Sequence, residues 1–165
     1  ARPKVGLLSN GEEAGKGNEL VKAAFPLLQA STLNFFGNIE GKELFGGDVD
    51  VAITDGFTGN VLIKASEAVA KLLVDVLKEG MLSSTRTKIG AVLAKPAFTA
   101  LKGMLDPDEI GAAPLLGLNG LVFVGHGRSN AKAIFSAIKA ARSAVDAQLV
   151  EAMGSAIQEQ LQQIS

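Results

Sequence analysis

The chain has 165 residues, and 47% of them are hydrophobic, which is enough for one domain with a single core. Its 16 basic and 17 acidic residues leave a net charge of -1, so no basic field favours DNA or RNA as a partner. The absence of cysteine excludes disulfides and thiol nucleophiles, and a single histidine, His126, disfavours a His-based zinc site. We expect no metal and no cofactor.

The sequence indicates neither a membrane-spanning helix nor a signal peptide. Its apolar runs are shorter than the ~20 residues that cross a bilayer. The first residues also lack the basic-then-apolar pattern of a secretory signal. We therefore expect a cytoplasmic protein. Because a strand pattern begins almost at once, at Lys4, we also expect the chain to be a fragment of something longer.

Strands alternate with helices along the first part of the chain. Residues 4–9 are predicted to form a short buried strand, and a glycine-rich loop leads from it to a helix over residues 19–30. Asn18 is the natural N-cap of that helix. Alternating apolar residues predict two further strands, over residues 33–39 and 49–54.

The second part of the chain continues this alternation. Residues 60–79 have helical apolar spacing, with one face expected to be buried and Gly80 expected to end the helix. A compact strand at 121–124 precedes a helix over 131–150, and the tail at 151–165 is predicted to be a further helix. Strands separated by helices predict a layered αβα fold with a mostly parallel sheet.

Three loops that follow predicted strands share a similar chemistry. In one parallel sheet all three open on the same edge, where helix N-termini offer backbone N–H groups to an anion. This predicts an anion-binding cleft, although no loop matches the P-loop or dinucleotide fingerprints. The residues concerned are Lys16 and Asn18 in the first loop, Asp55, Gly56, Gly59 and Asn60 in the second, and His126 in the third.

A purely structural interpretation stays open for each of these loops. Glycine-rich turns with Asn or Ser caps occur throughout α/β proteins. Asp55 can simply hold backbone amides, and His126 can cap a turn. Lys16 can be an ordinary solvated charge. Only the convergence of the three loops favours a binding site.

Residues 81–105 form a second distinctive segment. The apolar residues follow one helical stripe, the only charges are basic, and Pro96 is predicted to divide the segment into two short helices. This combination is typical of a helix pair lying on an anionic membrane. The alternatives are a dimer interface or a helical hairpin packed in the core. The residues expected to face the membrane are Ile89, Val92, Leu93 and Leu101.

Several sequence blocks carry a family resemblance. They are VGLLSNGEE at 5–13, KGNEL at 16–20, NFFGNIEG at 34–41, DVAITDGFTGN at 50–60 and GAAPLLG at 111–117. In order and approximate spacing they resemble the C-terminal half of the bacterial phosphate acyltransferases, the PlsX family. The resemblance covers nearly the whole chain.

The resemblance implies transfer of a fatty acyl group from acyl carrier protein to inorganic phosphate, giving an acyl phosphate for phospholipid synthesis. It further implies a fold related to phosphotransacetylases and isocitrate dehydrogenases, a homodimer, and peripheral attachment of residues 81–105 to the inner face of the cell membrane. Lys16 is then expected to attract phosphate, and Asn60 to donate to the thioester oxygen. Asp55 is expected to orient Lys16 or to accept a proton. The implied binding residues are Asn18, Gly56, Gly59 and His126.

Two other functional classes remain open on the sequence alone. The first is a dehydrogenase related through the shared isocitrate dehydrogenase fold, although no dinucleotide fingerprint favours it. The second is a non-catalytic module that dimerises and docks on membranes, with catalysis requiring a half that this sequence does not contain.

Overall fold

The computed structural model describes residues 2–104 and 106–164, so Ala1, Leu105 and Ser165, which fall within the predicted segments, lie outside the described residues. The chain divides into two compact units, Ala1–Ala68 and Val69–Ser165. The first unit contains three strands, two helices and the start of a third helix. These are β1 (Lys4–Leu8), α1 (Glu19–Ala30), β2 (Asn34–Ile39), α2 (Gly41–Gly46), β3 (Val51–Ile53) and the first turns of α3 (Gly56–Leu82).

The first unit is built on a three-stranded parallel sheet. β1 lies in the middle, between β2 and β3, and runs parallel to both. Its Leu7 is in register with Asn38 on one side and with Ile53 on the other. The predicted α/β fold with a parallel sheet is therefore confirmed. The short helix α2 was not predicted.

The core of the first unit forms where β1 meets β2. Val5, Leu7 and Leu8 are buried, and Ile39 is fully enclosed. A Cβ at Gly6 would lie 2.7 Å from Ile39 Cγ2, so glycine leaves the space that the isoleucine fills. Burying such a side chain contributes about 1.5–3 kcal/mol to the free energy of unfolding. β1 is thus the strand around which the first unit is packed.

The second unit contains the remainder of α3, four further helices, one 3-10 turn and two strands. These are α4 (Thr85–Leu93), α5 (Lys95–Met104), a 3-10 turn (Pro107–Glu109), β4 (Ala112–Pro114), β5 (Phe123–Gly125), α6 (Ala131–Asp146) and α7 (Leu149–Ile164). β4 and β5 pair antiparallel, with Ala113 opposite Val124. The mostly parallel arrangement therefore holds for β1 to β3 but is wrong for the strand predicted at 121–124.

Close backbone packing holds α6 against the residue before β4. Gly111 is buried and has a φ of +75°, which favours glycine. A Cβ at this position would lie 2.4 Å from the backbone oxygen of Ala133. Ala133 itself is buried in the first turn of α6. Only glycine fits this contact without moving the helix.

Two helices differ from their predicted bounds. The helix expected over 131–150 ends at Asp146, because Gln148 adopts a φ of 49° and separates α6 from α7. α3 begins at Gly56 and continues through Gly80 to Leu82, so Gly80 does not end it. The helix cost of one glycine is only about 1 kcal/mol, and the helix-forming neighbours of Gly80 outweigh it.

The apolar stripe of α3 is exposed, contrary to the prediction of a buried face. Val69, Leu72, Leu73 and Val76 all expose more than half of their surface. Their side chains have the helical spacing of a packing face, yet the described residues do not cover them. Among residues 2–104 and 106–164, no helix is both long and apolar enough to span a bilayer.

Candidate functional site

The parallel sheet brings two of the three predicted loops to one edge. β1 and β3 are neighbours that run in the same direction, so their carboxyl ends lie side by side. The loop after β1 carries Lys16 and Asn18, and the junction after β3 carries Asp55. Adjacent strands are about 4.8 Å apart. The described geometry therefore places these two segments next to each other, as expected from the sequence.

Two side-chain hydrogen bonds hold the loop over residues 9–18 in place. Asn10 Oδ1 accepts a hydrogen bond from the Gly17 N–H at 2.9 Å, which closes the loop on itself. Asn38 Nδ2 donates to the Glu13 carbonyl oxygen at 2.9 Å from the β2 side. Gly17 has a φ of +102°, a conformation that favours glycine. This loop is thus a defined structure and not a loose connection.

Lys16 occupies a fixed position in that loop with its side chain exposed. Its backbone N–H donates to the Glu13 carbonyl oxygen at 2.9 Å. The aliphatic part of its side chain lies over Gly11, where a Cβ would come within 2.7 Å of Lys16 Cγ. The backbone of Lys16 is therefore held by a hydrogen bond, and the stem of its side chain packs against Gly11.

The ammonium group of Lys16 differs from those of nearby lysines. Lys22 lies 3.9 Å from the Glu19 carboxylate, and Lys42 pairs with both Glu12 and Glu43. In the described parts of the chain, no carboxylate lies within ion-pair distance of Lys16. A positive charge that the described residues do not neutralise is suited to an anionic ligand.

Asn18 is the N-cap of α1, as predicted. Its Oδ1 accepts a hydrogen bond from the Val21 N–H at 2.9 Å, and its carbonyl oxygen accepts from the Lys22 N–H. One side-chain oxygen is therefore used to begin the helix. A role of Asn18 in phosphate binding stays a prediction, and its capping bond gives a structural reason for asparagine at this position.

Asp55 occupies the capping position of α3. Its Oδ1 accepts hydrogen bonds from the backbone N–H groups of Phe57 at 2.9 Å and Thr58 at 2.8 Å. Hydrogen bonds from the Thr58 hydroxyl and then from these backbone groups hold the pKa of Asp55 below its ordinary value. A carboxylate with a lowered pKa is a weak proton acceptor at neutral pH. The geometry favours the interpretation in which Asp55 holds backbone amides.

Asn60 does not lie at a helix start, because α3 begins at Gly56 and not at residue 60. It is exposed and lies in the second turn of the helix. The error arose because the stretch from Gly56 to Gly59 contains two glycines, which normally disfavour a helix. The Asp55 cap stabilises these residues in helical form.

The two glycines of this turn have different surroundings. Gly56 is exposed, and no described atom lies within 4 Å of a Cβ placed there. Gly59 is buried, and a Cβ there would lie 2.7 Å from Thr54 Cγ2. The Gly59 N–H also donates to the Asp55 carbonyl oxygen at 2.9 Å. Close packing therefore accounts for Gly59, whereas packing places no such demand at Gly56.

His126 follows β5 and belongs to the second unit, so the parallel sheet does not bring it to the edge that carries Lys16. Its carbonyl oxygen accepts hydrogen bonds from the Ser129 N–H at 3.0 Å and the Ser129 hydroxyl at 2.7 Å. The residue lies in an exposed turn before the Asn130 cap of α6. The argument that all three loops share one sheet edge is wrong for this loop.

Comparison with known proteins gives a direct family assignment. The family described as "Fatty acid synthesis protein" matches residues 1–152. The chain belongs to this fatty acid synthesis protein family. The match includes both loops at the parallel sheet edge and the helix pair α4 and α5.

Three similar proteins carry the same name. A protein named "Phosphate acyltransferase" from Pelotomaculum thermopropionicum is 52% identical over 94% of this chain and 46% of its own length. Proteins of the same name from Elusimicrobium minutum and Thermus thermophilus are each 48% identical over 90% of the chain, covering 44% and 46% of their own lengths. The chain spans slightly less than half the length of these relatives.

Within this family member, the acidic cluster around Lys42 is a feature that the sequence analysis missed. Single carboxylate oxygens of Glu12, Glu40 and Glu43 lie within 4.8 Å of one another. Lys42 pairs with Glu12 and, at 3.4 Å, with Glu43, and these two partners raise the pKa of Lys42. The spacing of Glu40 and Glu43 forms a capping box for α2, a pattern that can be found in a sequence. The cluster therefore joins α2 to the loop after β1.

The predicted membrane segment of this family member consists of two helices, as expected from Pro96. Pro96 lies in the first turn of α5, where its missing N–H costs no helical hydrogen bond. Ser84 caps α4 by accepting a hydrogen bond from the Thr87 N–H. Of the four residues expected to face a membrane, Ile89 is 60% exposed, Val92 72%, Leu93 78% and Leu101 38%.

Proposed function

We propose that the full-length protein transfers a fatty acyl group from acyl carrier protein to inorganic phosphate, and so makes an acyl phosphate for phospholipid synthesis. The observation that carries this proposal is the near 50% identity, over nearly the whole chain, to proteins named phosphate acyltransferase. The exposed ammonium group of Lys16 in an ordered loop gives the proposal a local chemical basis.

The proposed reaction needs no nucleophile from the protein. An oxygen of hydrogen phosphate attacks the thioester carbonyl carbon, the carbon–sulfur bond breaks, and the phosphate proton ends on the released thiol of the carrier. The enzyme chiefly has to hold two reactants in line and to stabilise the developing negative charge. A cleft that combines a cation with amide donors is suited to both tasks.

In this mechanism Lys16 attracts phosphate and offsets its charge, and Asn60 donates a hydrogen bond to the thioester oxygen. Both residues belong to segments that follow adjacent parallel strands. Asn60 lies in the second turn of α3, so it acts through its side-chain amide and not through the helix terminus. Asn18, Gly56 and Gly59 are proposed to line the binding region.

Two catalytic roles were predicted for Asp55, the orientation of Lys16 and proton acceptance. Because Asp55 binds the first turn of α3 and lies outside ion-pair distance of Lys16, we propose a different role, the orientation of Asn60. The lowered pKa of Asp55 and its hydrogen bonds to the first turn of α3 make proton acceptance from phosphate unfavourable. The carboxylate fixes the start of α3, and the position of the helix start determines where Asn60 lies in the second turn. Asp55 therefore acts on the reaction through the helix.

Alanine variants of the full-length protein test the proposal. Lys16→Ala and Asn60→Ala should each lower acyl phosphate formation about 10²–10³-fold, the usual cost of losing one donor to a developing charge. Lys22→Ala is the matched control, because Lys22 is an exposed lysine on the next helix that lies near Glu19. Formation of acyl phosphate is measured from acyl carrier protein thioester and phosphate, with the thermal transition recorded for each variant. Near-normal turnover in a folded variant would remove that residue from the mechanism.

We also propose that α4 and α5 attach this otherwise cytoplasmic protein to the inner face of the cell membrane. Exposed Val92 and Leu93, basic side chains such as Arg86 and Lys88, and the lack of acidic residues over 81–104 support an anionic surface as the partner. Leu93→Glu combined with Leu101→Glu should abolish sedimentation with anionic liposomes. Leu27→Glu, at an exposed leucine of α1, is the control and should still sediment. Loss of folding in the double variant would instead indicate a packed segment.

A homodimer is the oligomeric state that we propose. The exposed apolar stripe of α3, with Leu72 and Leu73 both more than 60% exposed, supports a partner surface on this helix. Sedimentation equilibrium of the full-length protein tests this, and a monomer at micromolar concentration would contradict it. A dimer that binds liposomes but not phosphate would favour the alternative of a non-catalytic docking module.

A further inference from the structure

Asn38 is a polar residue in an apolar position. It lies on β2 in register with Leu7, and only 3% of its surface is exposed. Its Oδ1 has no hydrogen-bond partner among residues 2–104 and 106–164. Leaving a buried amide oxygen unpaired lowers the free energy of unfolding, so an apolar residue would serve packing at least as well. Packing alone therefore does not explain an asparagine at this position.

The Nδ2 group of Asn38 contacts the loop that carries Lys16. It donates to the Glu13 carbonyl oxygen at 2.9 Å. The same carbonyl oxygen accepts the backbone N–H of Lys16, also at 2.9 Å. A carbonyl oxygen has two lone pairs and can accept both bonds at once. Two hydrogen bonds through one oxygen thus connect a buried strand residue to the backbone of Lys16.

The remaining contacts of the loop restrict Lys16 from other directions. Asn10 Oδ1 holds the Gly17 N–H on the residue after Lys16, and Gly11 supports the side-chain stem. The Asn38 bond differs from these because it anchors the loop to the sheet, which is the rigid part of the unit. Anchoring in advance reduces the conformational entropy that a lysine loses when it contacts a ligand.

We propose that Asn38 is a positioning residue, which fixes Lys16 for phosphate through the shared Glu13 carbonyl oxygen. This inference rests on the proposed function, because it needs Lys16 to contact phosphate. It assigns a functional reason to the one hydrogen bond that Asn38 makes to the loop. It also predicts that losing the bond affects the use of phosphate and leaves the use of the acyl carrier substrate unchanged.

The test uses Asn38→Leu in the full-length protein, since the leucine side chain has the same number and branching of heavy atoms and makes no hydrogen bond. Its thermal transition should stay close to that of the parent protein, because removal of an unpaired buried oxygen offsets the lost bond to the Glu13 carbonyl oxygen. Its kcat/KM for phosphate should fall about tenfold, the effect of losing roughly one hydrogen bond, while KM for the carrier substrate stays constant. Asn34→Leu is the matched control, because Asn34 lies on the same strand and its Nδ2 donates to the Arg2 carbonyl oxygen, away from the loop.

A double-mutant cycle with Lys16→Ala separates positioning from a general structural effect. In the Lys16→Ala background, Asn38→Leu should change kcat/KM for phosphate by less than about twofold. An equal loss with and without Lys16, or an unchanged kcat/KM for phosphate in folded Asn38→Leu, would overturn the inference. Asn38→Ala provides the same readouts if the leucine variant does not fold.

The cycle also distinguishes this inference from the proposed function. If Lys16→Ala alone leaves kcat/KM for phosphate unchanged, the proposed role of Lys16 fails, and the inference about Asn38 fails with it. If Lys16→Ala lowers kcat/KM for phosphate but the effect of Asn38→Leu is additive, only the inference about Asn38 fails.

Discussion

Replacing Gly59 with alanine probes the junction between β3 and α3 most directly. The residue is buried in the first turns of α3, and its new Cβ would lie 2.7 Å from Thr54 Cγ2. Threonine is β-branched and stiff about χ1, so its methyl group cannot easily move aside. Gly80 provides a matched control in the same helix, because no described atom lies within 4 Å of a Cβ there.

The two substitutions should change the free energy of unfolding in opposite directions. Overpacking a close contact by one methyl group costs about 1–3 kcal/mol. Exchanging glycine for alanine inside a helix gains about 1 kcal/mol. The net expectation is a loss of about 1 kcal/mol for Gly59→Ala and a gain of about 1 kcal/mol for Gly80→Ala. Their difference measures the steric contact with Thr54.

Urea denaturation of the full-length protein, followed by far-ultraviolet circular dichroism, measures both changes. Thr54→Ser removes Cγ2 and should restore most of the stability that Gly59→Ala loses. Equal gains from Gly59→Ala and Gly80→Ala would refute the steric explanation. If the rescued double variant is stable but still slow in forming acyl phosphate, Gly59 is instead required for close approach of the ligand.

Two further predictions concern the helix caps beside the candidate cleft. Asn18→Ala should lower the free energy of unfolding by about 1 kcal/mol, because the Val21 N–H loses its acceptor. Asn18→Asp should keep the cap, and urea denaturation measures the stability of both variants. Equal stability of the two variants would exclude capping as the reason for Asn18. The lowered pKa of Asp55 contributes stability that is fully present above the ordinary aspartate pKa near 4 and is lost as pH falls through the lower, folded-state pKa. Asp55→Asn, which keeps an acceptor but does not titrate, should therefore show a smaller loss of unfolding midpoint between neutral pH and about pH 3 than the parent protein, and parallel pH profiles would contradict this.

Local signals in the sequence were sufficient for the parallel sheet and for the cap of α1. β1, β2 and β3 have apolar residues flanked by glycine or polar turns, and all three form within the predicted stretches. Asn18 has a side chain that competes for backbone amides just before an apolar helical pattern, and it caps α1 as expected. Such features depend on residues that are neighbours in the sequence, so a single sequence is enough to predict them.

Features with a conflicting or weak local signal, or with contacts between separate segments, could not be predicted in the same way. The start of α3 depends on Asp55 accepting two amides, and this contact outweighs the helix cost of Gly56 and Gly59. β4 is only three residues long and contains Pro114, so its pairing with β5 has little local signal. The buried bond from Asn38 to Glu13 joins residues on two separate segments of the chain. The roles of the candidate site residues in catalysis remain predictions.

The central place of β1 in the sheet has a consequence for synthesis on the ribosome. β1 is synthesised before both of its partners, because Asn38 and Ile53, which pair with Leu7, follow it in the chain. Pairing between segments so far apart in sequence is slow compared with local helix formation. In a nascent chain that has not yet reached Ile53, the side of β1 that pairs with β3 lacks this partner strand. We expect chaperones to bind this apolar strand edge during translation.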